Sequence, residues 1–574
     1  MTANRQRGWR EVELEDVDVI DVDVLVVGGG GAAARAALEA ARAGAQVVLA
    51  VKGHFGSVGT RGSGATASGV SESGRLRVPE DFDGRDAAFS DILQLGLGVA
   101  DPKLARVLVE GIFDAREDLK RMGAVFGGSG IKCHGVPVMS ALESAICNSP
   151  VTVRNDTMVT DLLVEGERCV GAVGVDEING RPICFRAGAM ILGTGGAGQL
   201  YEFNMDPDCV TGDGYAMGYR AGAELINMEF SQVMLGSVHP TINLAPAWVW
   251  GQHPRITNRF GEEFIQNYLP AGVSTDIAMK ERALHAPFST RDEHSRFVDS
   301  AMIGEVKAGR TNSHRALHLD LTGDRPAIAP SSRWWWRYRG IDLEKEPMEA
   351  GLCHQCSNGG LRIGENGDTT LPGLYAAGEV AGGPHGADRR GGNMLAASQV
   401  FGARAGKHAA GWSRQSSDRS VSKKAIKEGL VKVEELLGAK GSTSPEEIAR
   451  LLRRVALEEL MIVRSEASLQ KVLDNVSQGR ELLKSVSTEN PGALVRALEV
   501  DNMLLVAEMT ARAAMMRTES RGGHYRADFP KRDDCRWLRA IRIRRAGLEM
   551  RTDTLVLDPN WQERPGDMGN AIWG

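Results

Sequence analysis

Residues 23–35 read Asp-Val-Leu-Val-Val-Gly-Gly-Gly-Gly-Ala-Ala-Ala-Arg, a short apolar β-strand that runs into a glycine turn and then into a helix. Gly28 permits the tight turn, Gly30 lets the backbone approach a pyrophosphate, and Ala33 is small enough for the helix to pack on the strand. The backbone N–H groups of the helix that begins near Gly31 would face the phosphates. The stretch therefore predicts the first half of a dinucleotide site in an α/β domain.

The second predicted strand, residues 46–51, narrows the kind of nucleotide. It follows an alanine-rich helix predicted over residues 32–43, and Lys52 comes directly after it. NAD sites and many FAD sites place an acidic residue at this point, where it binds ribose hydroxyls. A basic residue there favours an adenine nucleotide that is also held by other parts of the chain.

Length and charge limit what the protein does. A chain of 574 residues is too long for one simple core, so about two to four structural units are expected. A formal net charge of −6 gives no electrostatic case for binding nucleic acid. The sequence has no run of about 18 apolar residues, so we expect no membrane span. Residues 1–16 are polar and charged, and we expect no export signal there.

The cysteines indicate a reducing, cytoplasmic environment. Among the 8 cysteines only Cys353 and Cys356 have CxxC spacing. One such pair cannot ligate an iron–sulfur cluster or a structural zinc ion. We therefore expect no metal site in the chain.

Shifts in composition divide the chain into five segments. Glycine turns and apolar strands recur in two separated stretches, whereas the stretch between them has fewer glycine turns, more aromatic residues and many charges. A later stretch carries Lys, Glu, Leu and Ala at helical spacing. The predicted units are 18–235 and 351–415 for the nucleotide-binding domain, 236–350 for an inserted domain, 416–545 for a helical domain and 546–574 for a tail.

Four separated motifs resemble those of the succinate dehydrogenase/fumarate reductase flavoprotein family, in the same order along the chain. The last one matches the C-terminal helical-domain motif of that family. The motifs are Thr194-Gly-Gly-Ala-Gly198 with Thr211-Gly-Asp-Gly214, Leu374-Tyr-Ala-Ala-Gly-Glu-Val380, His385-Gly-Ala-Asp-Arg-Arg-Gly-Gly-Asn-Met-Leu395, and Arg517-Thr-Glu-Ser-Arg-Gly-Gly-His-Tyr-Arg-Ala-Asp-Phe-Pro530.

The resemblance implies an α/β fold and FAD as cofactor. The expected architecture is an FAD-binding Rossmann-like domain of the glutathione-reductase type, with an inserted α+β capping domain and a C-terminal helical domain. Asp213 and Glu379 are placed to accept hydrogen bonds from ribose or ribityl hydroxyls, although acids in glycine turns are also common on surfaces. The expected cofactor residues are Gly28, Gly30, Gly31, Ala32, Lys52, Gly62, Ser63, Gly64, Thr194, Gly195, Gly196, Asp213, Glu379, Arg389, Gly392, Asn393 and Leu395.

The segment around Gly62 indicates that FAD is bound non-covalently. Covalent members of the family attach FAD to a histidine in an Arg-Ser-His segment, and the matching stretch here is Thr60-Arg-Gly-Ser63. Gly62 occupies about the histidine position, and His54 comes too early. The stretch Ser63-Gly-Ala-Thr-Ala-Ser-Gly69 is similar to the α subunit of adenylylsulfate reductase, another non-covalent branch.

The inserted segment departs from the family at its substrate loop. Family members carry an Arg-Gly-Glu-Gly-Gly run with a proton-relay glutamate, whereas this chain has Ala247-Trp-Val-Trp-Gly-Gln-His253. Trp248, Trp250 and His253 are therefore candidate substrate-binding residues, although the tryptophans could equally be packing residues of the cap. His239, in a His-Pro-Thr run that arrives a few residues late, is a further catalytic candidate.

The remaining site residues follow from the resemblance. A family arginine at a helix start protonates the substrate, and here Arg291 and Arg296 compete for that role; the spacing slightly favours Arg296. His354 is similar to a substrate-binding histidine but is displaced by one residue. Arg389 would bind a substrate carboxylate in a bidentate manner, and His385 begins the same motif.

These features predict an FAD-dependent oxidoreductase that transfers hydride between flavin N5 and a carboxylate-bearing small molecule, at a C–C bond, with a substrate bulkier than fumarate. Alternatives are adenylylsulfate-reductase-like sulfur chemistry, an amino-acid oxidase of the L-aspartate type, and an electron-transfer subunit of a larger complex. An iron–sulfur or other electron-transfer partner and an oligomeric state are left open. Three consecutive tryptophans, Trp334–Trp336, cannot all face one core, so partner contact competes with anchoring of the cap.

Overall fold

The computed structural model of the chain describes residues 15, 17–57, 82–126, 135–245, 248–323, 328, 330–416 and 419–557. Its strands are β1 (Asp18–Val27), β2 (Val47–Ala50), β3 (Thr152–Arg154), β4 (Thr157–Glu165), β5 (Arg168–Asp176), β6 (Pro182–Leu192), β7 (Leu225–Ile226), β8 (Ser231–His239), β9 (Asn243–Leu244), β10 (Arg255–Thr257), β11 (Leu317–Asp320), β12 (Met348–Ser357), β13 (Gly360–Arg362), β14 (Leu374–Ala376), β15 (Ala381–Gly382), β16 (Val463–Arg464), β17 (Tyr525–Arg526), β18 (Ala540–Ala546) and β19 (Glu549–Leu555).

Helices cover much of the remaining described chain. They are α1 (Gly31–Arg42), α2 (Phe82–Gly96), α3 (Pro102–Arg121), α4 (Gly135–Cys147), α5 (Asp213–Arg220), α6 (Trp248–Gly251), α7 (Thr275–Arg282), α8 (Arg296–Lys307), α9 (Pro330–Tyr338), α10 (Asn393–Gln415), α11 (Lys423–Leu436), α12 (Pro445–Val455), α13 (Glu466–Leu483), α14 (Pro491–Met516) and α15 (Asp534–Trp537). None of the helices in the described ranges is long and apolar enough to cross a membrane.

The first sheet forms the centre of the nucleotide-binding domain. Its strand order is β3-β2-β1-β6-β5-β4, and β14 pairs with the end of β6. β1 is parallel to both β2 and β6, with Val27 opposite Ala50 on one side and opposite Leu192 on the other. Central parallel strands are covered by helices on both faces, which explains why β1 ends in the continuous apolar run that the sequence shows.

Small residues let α1 and α10 pack closely on this sheet. A Cβ at Gly402 would lie 2.8 Å from the Ala32 carbonyl oxygen, and one at Gly406 would lie 2.3 Å from that of Ala36. The alanine-rich composition of α1 therefore serves close helix packing. As a result, the N-termini of α1 and α10 lie near the same edge of the sheet.

A second sheet, with strand order β10-β11-β12-β8-β9, is built from residues 231–357, the region in which the inserted domain is predicted. Strands β8 and β12 are its longest pair. A register shift lies between His354 and Cys356, so Gln355 is left without a partner residue on β8. Such a bulge turns the side chains that follow it and is often found beside active sites.

The tryptophan run of α9 divides between core and surface, as the sequence predicts. Trp336 is 1% exposed, whereas Trp334 is 63% exposed and stacks on Tyr338 at a ring-centroid distance of 5.3 Å. Helices α11–α14 form the C-terminal helical region, and β18 and β19 join a third sheet with β7, β13 and β15.

Candidate active site

A deep cavity opens at the carboxyl edge of the first sheet. Its empty volume, including the open mouth, is about 1410 Å³, and glycine turns after β1 and β6 form its floor. A Cβ at Gly28 would lie 2.4 Å from the Gly193 carbonyl oxygen, and Gly28 has a φ of +122°. Only glycine fits there, because the two strand ends approach each other so closely.

Two helix N-termini line this cavity without side-chain caps. The N-cap residues are Gly30 for α1 and Gly392 for α10, and neither offers a side chain to the free N–H groups of its helix. Gly31 and Met394, which follow these caps, belong to the cavity wall. Uncapped N-termini favour a negatively charged group, so the cavity is suited to a pyrophosphate.

The polar atoms of the wall also fit a polar cofactor. Thr194 Oγ1, Asp206 Oδ2 and Arg389 Nε are buried, and none of them has a hydrogen-bond partner within the described residues. Buried polar groups are normally satisfied, so these atoms indicate a ligand that completes them. Together with the two helix ends, the donor and acceptor set matches the phosphates and hydroxyls of a dinucleotide.

Most of the predicted cofactor residues lie in this wall. Gly392 and Asn393 are at the beginning of α10, directly before two wall residues. Gly62, Ser63 and Gly64 fall outside the described residues. The wall contains Gly28, Gly30, Gly31, Ala32, Lys52, Thr194, Gly195, Gly196, Asp213, Glu379, Arg389 and Leu395.

Lys52 holds two carboxylates from distant segments together. Its Nζ donates to Asp213 Oδ2 and to Glu499 Oε1, each at 2.7 Å, and to Thr211 Oγ1 at 2.9 Å. Burial by itself would lower the pKa of Lys52, but the two carboxylates raise it well above its usual value. Asp213 also accepts from Asn502 at 2.9 Å. The Asp213 carboxylate is thus engaged by protein groups, and α14 of the helical region braces the nucleotide site.

Glu379 and Asp206 form a pair of carboxyl groups in the wall. Burial raises the pKa of both, and the Asp206 charge raises that of Glu379 further. The backbone N–H of Ser357 donates to Glu379 at 2.8 Å. A Cβ at Gly196 would lie 2.1 Å from Glu379 Oε1, so the carboxylate sits directly against the glycine turn. Such a carboxyl group can accept hydrogen bonds from cofactor hydroxyls.

Arg389 belongs to a buried hydrogen-bond network at one end of the cavity. Its Nη2 donates to Cys356 Sγ at 3.4 Å, and the Cys356 thiol donates to Gln232 Oε1 at 3.2 Å. Gln232 in turn donates to Asp388 Oδ1 at 2.8 Å. Burial raises the pKa of Cys356 to about 12, so it stays a thiol. The network fixes the guanidinium while its Nε remains available in the wall.

The structure separates the two arginines that compete for the role of proton donor. Arg291 forms an ion pair with Asp388, the residue directly before Arg389. Arg296 begins α8, and its guanidinium lies 5.0 Å from the ring centroid of Phe297 and 5.7 Å from that of Tyr525. Arg291 therefore joins the network of the cavity, in contrast to the slight preference that the sequence spacing gives Arg296.

His354 does not take the predicted place in the cavity wall. Its ring is fully buried, stacks on Tyr201 at 4.5 Å, and lies 3.8 Å from Asp206. Burial lowers its pKa to about 4, so it is neutral at pH 7. The wall contains Gln355 and Cys356 instead. The cause is the displacement by one residue, because successive side chains of a strand point to opposite faces.

His385 is also buried and neutral. It is 2% exposed, and burial together with the Arg389 charge lowers its pKa to about 3. Neither ring nitrogen has a hydrogen-bond partner within the described residues. His385 thus lies close to the Arg389 network but is not part of the cavity wall.

The predicted substrate loop packs inside the cap. Trp250 is 1% exposed, and the Arg282 guanidinium lies 4.5 Å from its ring centroid. Arg282 forms a fully buried ion pair with Asp299. Trp248 is half-buried against the hydrophobic core, and His253 is exposed with a φ of +48°. The wall of the cavity includes none of Trp248, Trp250 and His253, so the packing alternative describes these tryptophans.

His239 is likewise distant from the chemistry. It is exposed at the end of β8 and stacks on His314 at 3.8 Å. Its late arrival after residues 228–230 places it beyond the part of β8 that reaches the cavity. The catalytic role predicted for it is therefore not supported.

Sequence reasoning missed several residues of the site. They carry no motif of their own and come from different segments, so only their neighbours in the quoted motifs could have pointed to some of them. They are Asp206, Cys209, Gln232, Leu244, Gln355, Cys356, Asp388, Met394, Ser398, Glu499 and Asn502.

Comparison with known proteins identifies the class that this fold and site define. Residues 23–139 and 131–395 match the family described as FAD binding domain, and residues 449–560 match the family described as Fumarate reductase flavoprotein C-term. The chain belongs to the fumarate reductase/succinate dehydrogenase flavoprotein family. It is an FAD-dependent oxidoreductase.

Relatives and solved structures cover nearly the whole chain. One subunit of the CoM/CoB fumarate reductase of Methanothermobacter marburgensis is 33% identical over 560 residues, which are 92% of this chain and 98% of that protein. L-aspartate oxidase of Streptomyces coelicolor is 29% identical and covers 92% of each chain. The structure of Mycobacterium smegmatis Sdh1 in complex with UQ1 superposes with a TM-score of 0.79 at 27% identity, over 94% of this chain and 95% of that one. Adenylylsulfate reductase from Archaeoglobus fulgidus, at 18% identity and a TM-score of 0.69 over 97% of this chain and 99% of that one, shares the fold.

Proposed function

We propose that the protein oxidises or reduces a C–C bond in a small molecule that carries a carboxylate. When bound, FAD supplies the hydride chemistry of the flavin ring. The observation that carries the proposal is Arg389, a buried guanidinium fixed through Cys356 whose Nε has no protein partner within the described residues. A fixed planar fork of this kind is suited to a carboxylate.

Arg291 is the better candidate for the group that delivers a proton to the substrate carbon. Its ion pair with Asp388 places it beside Arg389, so one substrate could meet both side chains. Asp388 also accepts a hydrogen bond from the Arg389 backbone N–H at 2.8 Å. The same carboxylate therefore positions the substrate-binding residue and the proton donor relative to each other.

The preference for a substrate bulkier than fumarate remains a prediction. The positions of Trp248 and Trp250 in the cap remove the support that these two residues lend to it. The wall near Arg389 offers Gln355, Cys356 and Leu244, none of which is a cation. One arginine clamp and neutral neighbours favour an acid with a single carboxylate near the reacting bond over a compact diacid.

The electrons reach or leave the flavin through another molecule. Within the described residues, no group of cysteines is close enough together to hold a cluster, since the one candidate cluster of metal ligands contains none. We therefore propose an electron-transfer protein as partner, with non-covalent FAD in this chain. The named relatives that are subunits of larger enzymes support this proposal.

The test uses the FAD-loaded protein, reduced anaerobically and mixed with a panel of unsaturated acids. Flavin reoxidation is followed by absorbance for the parent and for Arg389→Lys, Arg291→Gln and Arg296→Gln. We expect Arg291→Gln to slow reoxidation by about 10²-fold or more with little change in substrate Kd, and Arg296→Gln to stay within about tenfold of the parent. Arg389→Lys should raise the substrate Kd.

Ester controls and the alternative substrates complete the design. A monomethyl ester of the best acid should lose activity if Arg389 binds its carboxylate. Normal reoxidation by the ester, or a larger loss in Arg296→Gln than in Arg291→Gln, would contradict the assignment. Flavin reduction by L-aspartate would support the oxidase alternative, and flavin changes with sulfite and AMP would support sulfur chemistry.

A further inference from the structure

Three metal-ligating side chains meet on the outer end of the cap sheet. His239 is the last residue of β8, Glu349 lies opposite it on β12, and His314 lies in the turn before β11. One nitrogen from each imidazole and one oxygen of the carboxylate all lie within 4.8 Å of one another. His314 Nδ1 is already 2.7 Å from Glu349 Oε2.

The backbone around these residues is firmly held. His239 and Glu349 are paired across two antiparallel strands, and β11 pairs with β12 on the other side. The Asn312 side chain accepts from the backbone N–H groups of His314 at 3.0 Å and Ala316 at 2.9 Å, which closes the turn. The three ligand positions are thus fixed by a sheet and a capped turn, as a binding site requires.

We propose that His239, His314 and Glu349 bind one divalent cation of the kind that imidazole favours, with Zn²⁺ as the reference ion. Two imidazoles and one carboxylate form a ligand set found in zinc sites, with water in the fourth position. Both histidines are exposed and Glu349 is partly exposed, so an ion can enter from solvent.

Binding requires only side-chain rotation. The two imidazole rings are stacked with centroids 3.8 Å apart and planes 7° from parallel, an arrangement in which one ion cannot lie in both ring planes. One ring must tilt, and the His314 to Glu349 hydrogen bond must give way to two bonds to the ion. Since His314 is 44% exposed, this rotation disturbs no core packing.

The position of the site argues for a structural role. Strand β8 carries Gln232 of the Arg389 network near its beginning and His239 at its end. Seven residues of strand separate them by about 23 Å, which is too far for the ion to touch the reacting atoms. An ion here would cross-link the 312–316 turn to β8 and β12, the two strands that reach the active site at their other ends.

The experiment is a Zn²⁺ titration of the chelator-treated, FAD-loaded protein against a chromophoric competitor. We expect one tight equivalent, and His239→Ala, His314→Ala and Glu349→Gln should each weaken its binding at least tenfold. The matched control is His294→Ala, because His294 Nδ1 lies 2.8 Å from Glu281 in a His–Glu pair outside the candidate cluster. This control should leave the tight equivalent unchanged.

Co²⁺ provides a readout that does not depend on stability. Substitution at a site with two nitrogens and an oxygen should give visible absorption bands with the parent and His294→Ala, and these bands should be lost in His314→Ala. Absence of a tight equivalent in the parent would overturn the proposal. Retention of the equivalent in both His239→Ala and His314→Ala, with unchanged FAD content showing that the variants are folded, would overturn it too.

Discussion

Replacing Lys52 with Met should cost the protein about 3 kcal/mol of folding free energy. The ammonium is 14% exposed and bridges Asp213 and Glu499, each 10% exposed, at 2.7 Å. Removing one partner of a buried ion pair typically costs about 3–5 kcal/mol, because the remaining charge is left without compensation. The lower end applies here, since Glu499 keeps Arg496 at 2.9 Å and Asp213 keeps Asn502 at 2.9 Å.

The loss corresponds to about a 10²-fold change in the unfolding equilibrium. It should be measurable over the ordinary pH range: the raised pKa of Lys52 means that its stabilisation is complete below the unfolded value of about 10.4 and fades only above it. Urea unfolding of the FAD-free protein, followed by far-UV circular dichroism, gives the free-energy difference. FAD affinity, measured by flavin fluorescence, should fall in the same variant because the cavity then carries two uncompensated negative charges.

Two further variants make the test decisive. Lys484→Met removes an exposed lysine (65% exposed) from its pair with Glu481 and should cost less than about 0.5 kcal/mol. Adding Glu499→Gln to Lys52→Met removes one of the stranded charges and should recover part of the loss. If Lys52→Met is no more costly than Lys484→Met, or the double variant is worse by the sum of both changes, the bridging role is wrong.

Three other outcomes are expected. Because burial and the Asp206 charge raise the pKa of Glu379 to about 8, the FAD-free protein should lose thermal stability as the pH rises from about 4 through 8, and Glu379→Gln should flatten this slope; an unchanged slope would contradict the pairing. Trp250→Leu should lower cap stability by about 2–3 kcal/mol, since Trp250 is buried against Arg282, yet preserve the ranking of acids in flavin reoxidation; a changed ranking would return Trp250 to the substrate site. Acid precipitation should release yellow FAD into the supernatant, because Gly62 occupies the position of the attachment histidine; flavin retained in the pellet would show a covalent bond.

The role of Arg389 shows how far motif order reaches along the chain. The motif that contains it predicts both its place near the cofactor and its availability for a carboxylate, and the structure puts it in the cavity wall. The motif does not predict the supports of the guanidinium. Cys356 and Gln232 come from β12 and β8, and only the pairing of these strands brings them to Arg389.

The sequence by itself determined the parts of this protein whose physics is local. A buried parallel strand must be a continuous apolar run, and the turn after it must be glycine where two strand ends meet, so residues 23–35 predicted the nucleotide fold and the residues of its floor. Family motifs in a fixed order extended this prediction to FAD and to the C-terminal helical region.

Only the tertiary structure decided which side chains face the cavity. A shift of one residue turns a strand side chain to the opposite face, so the bulge at Gln355 put Gln355 rather than His354 in the wall. The ion pair of Arg291 with Asp388 spans 97 residues, and that of Lys52 with Glu499 spans 447. No local pattern encodes contacts at such separations, because they form only when whole domains pack against each other.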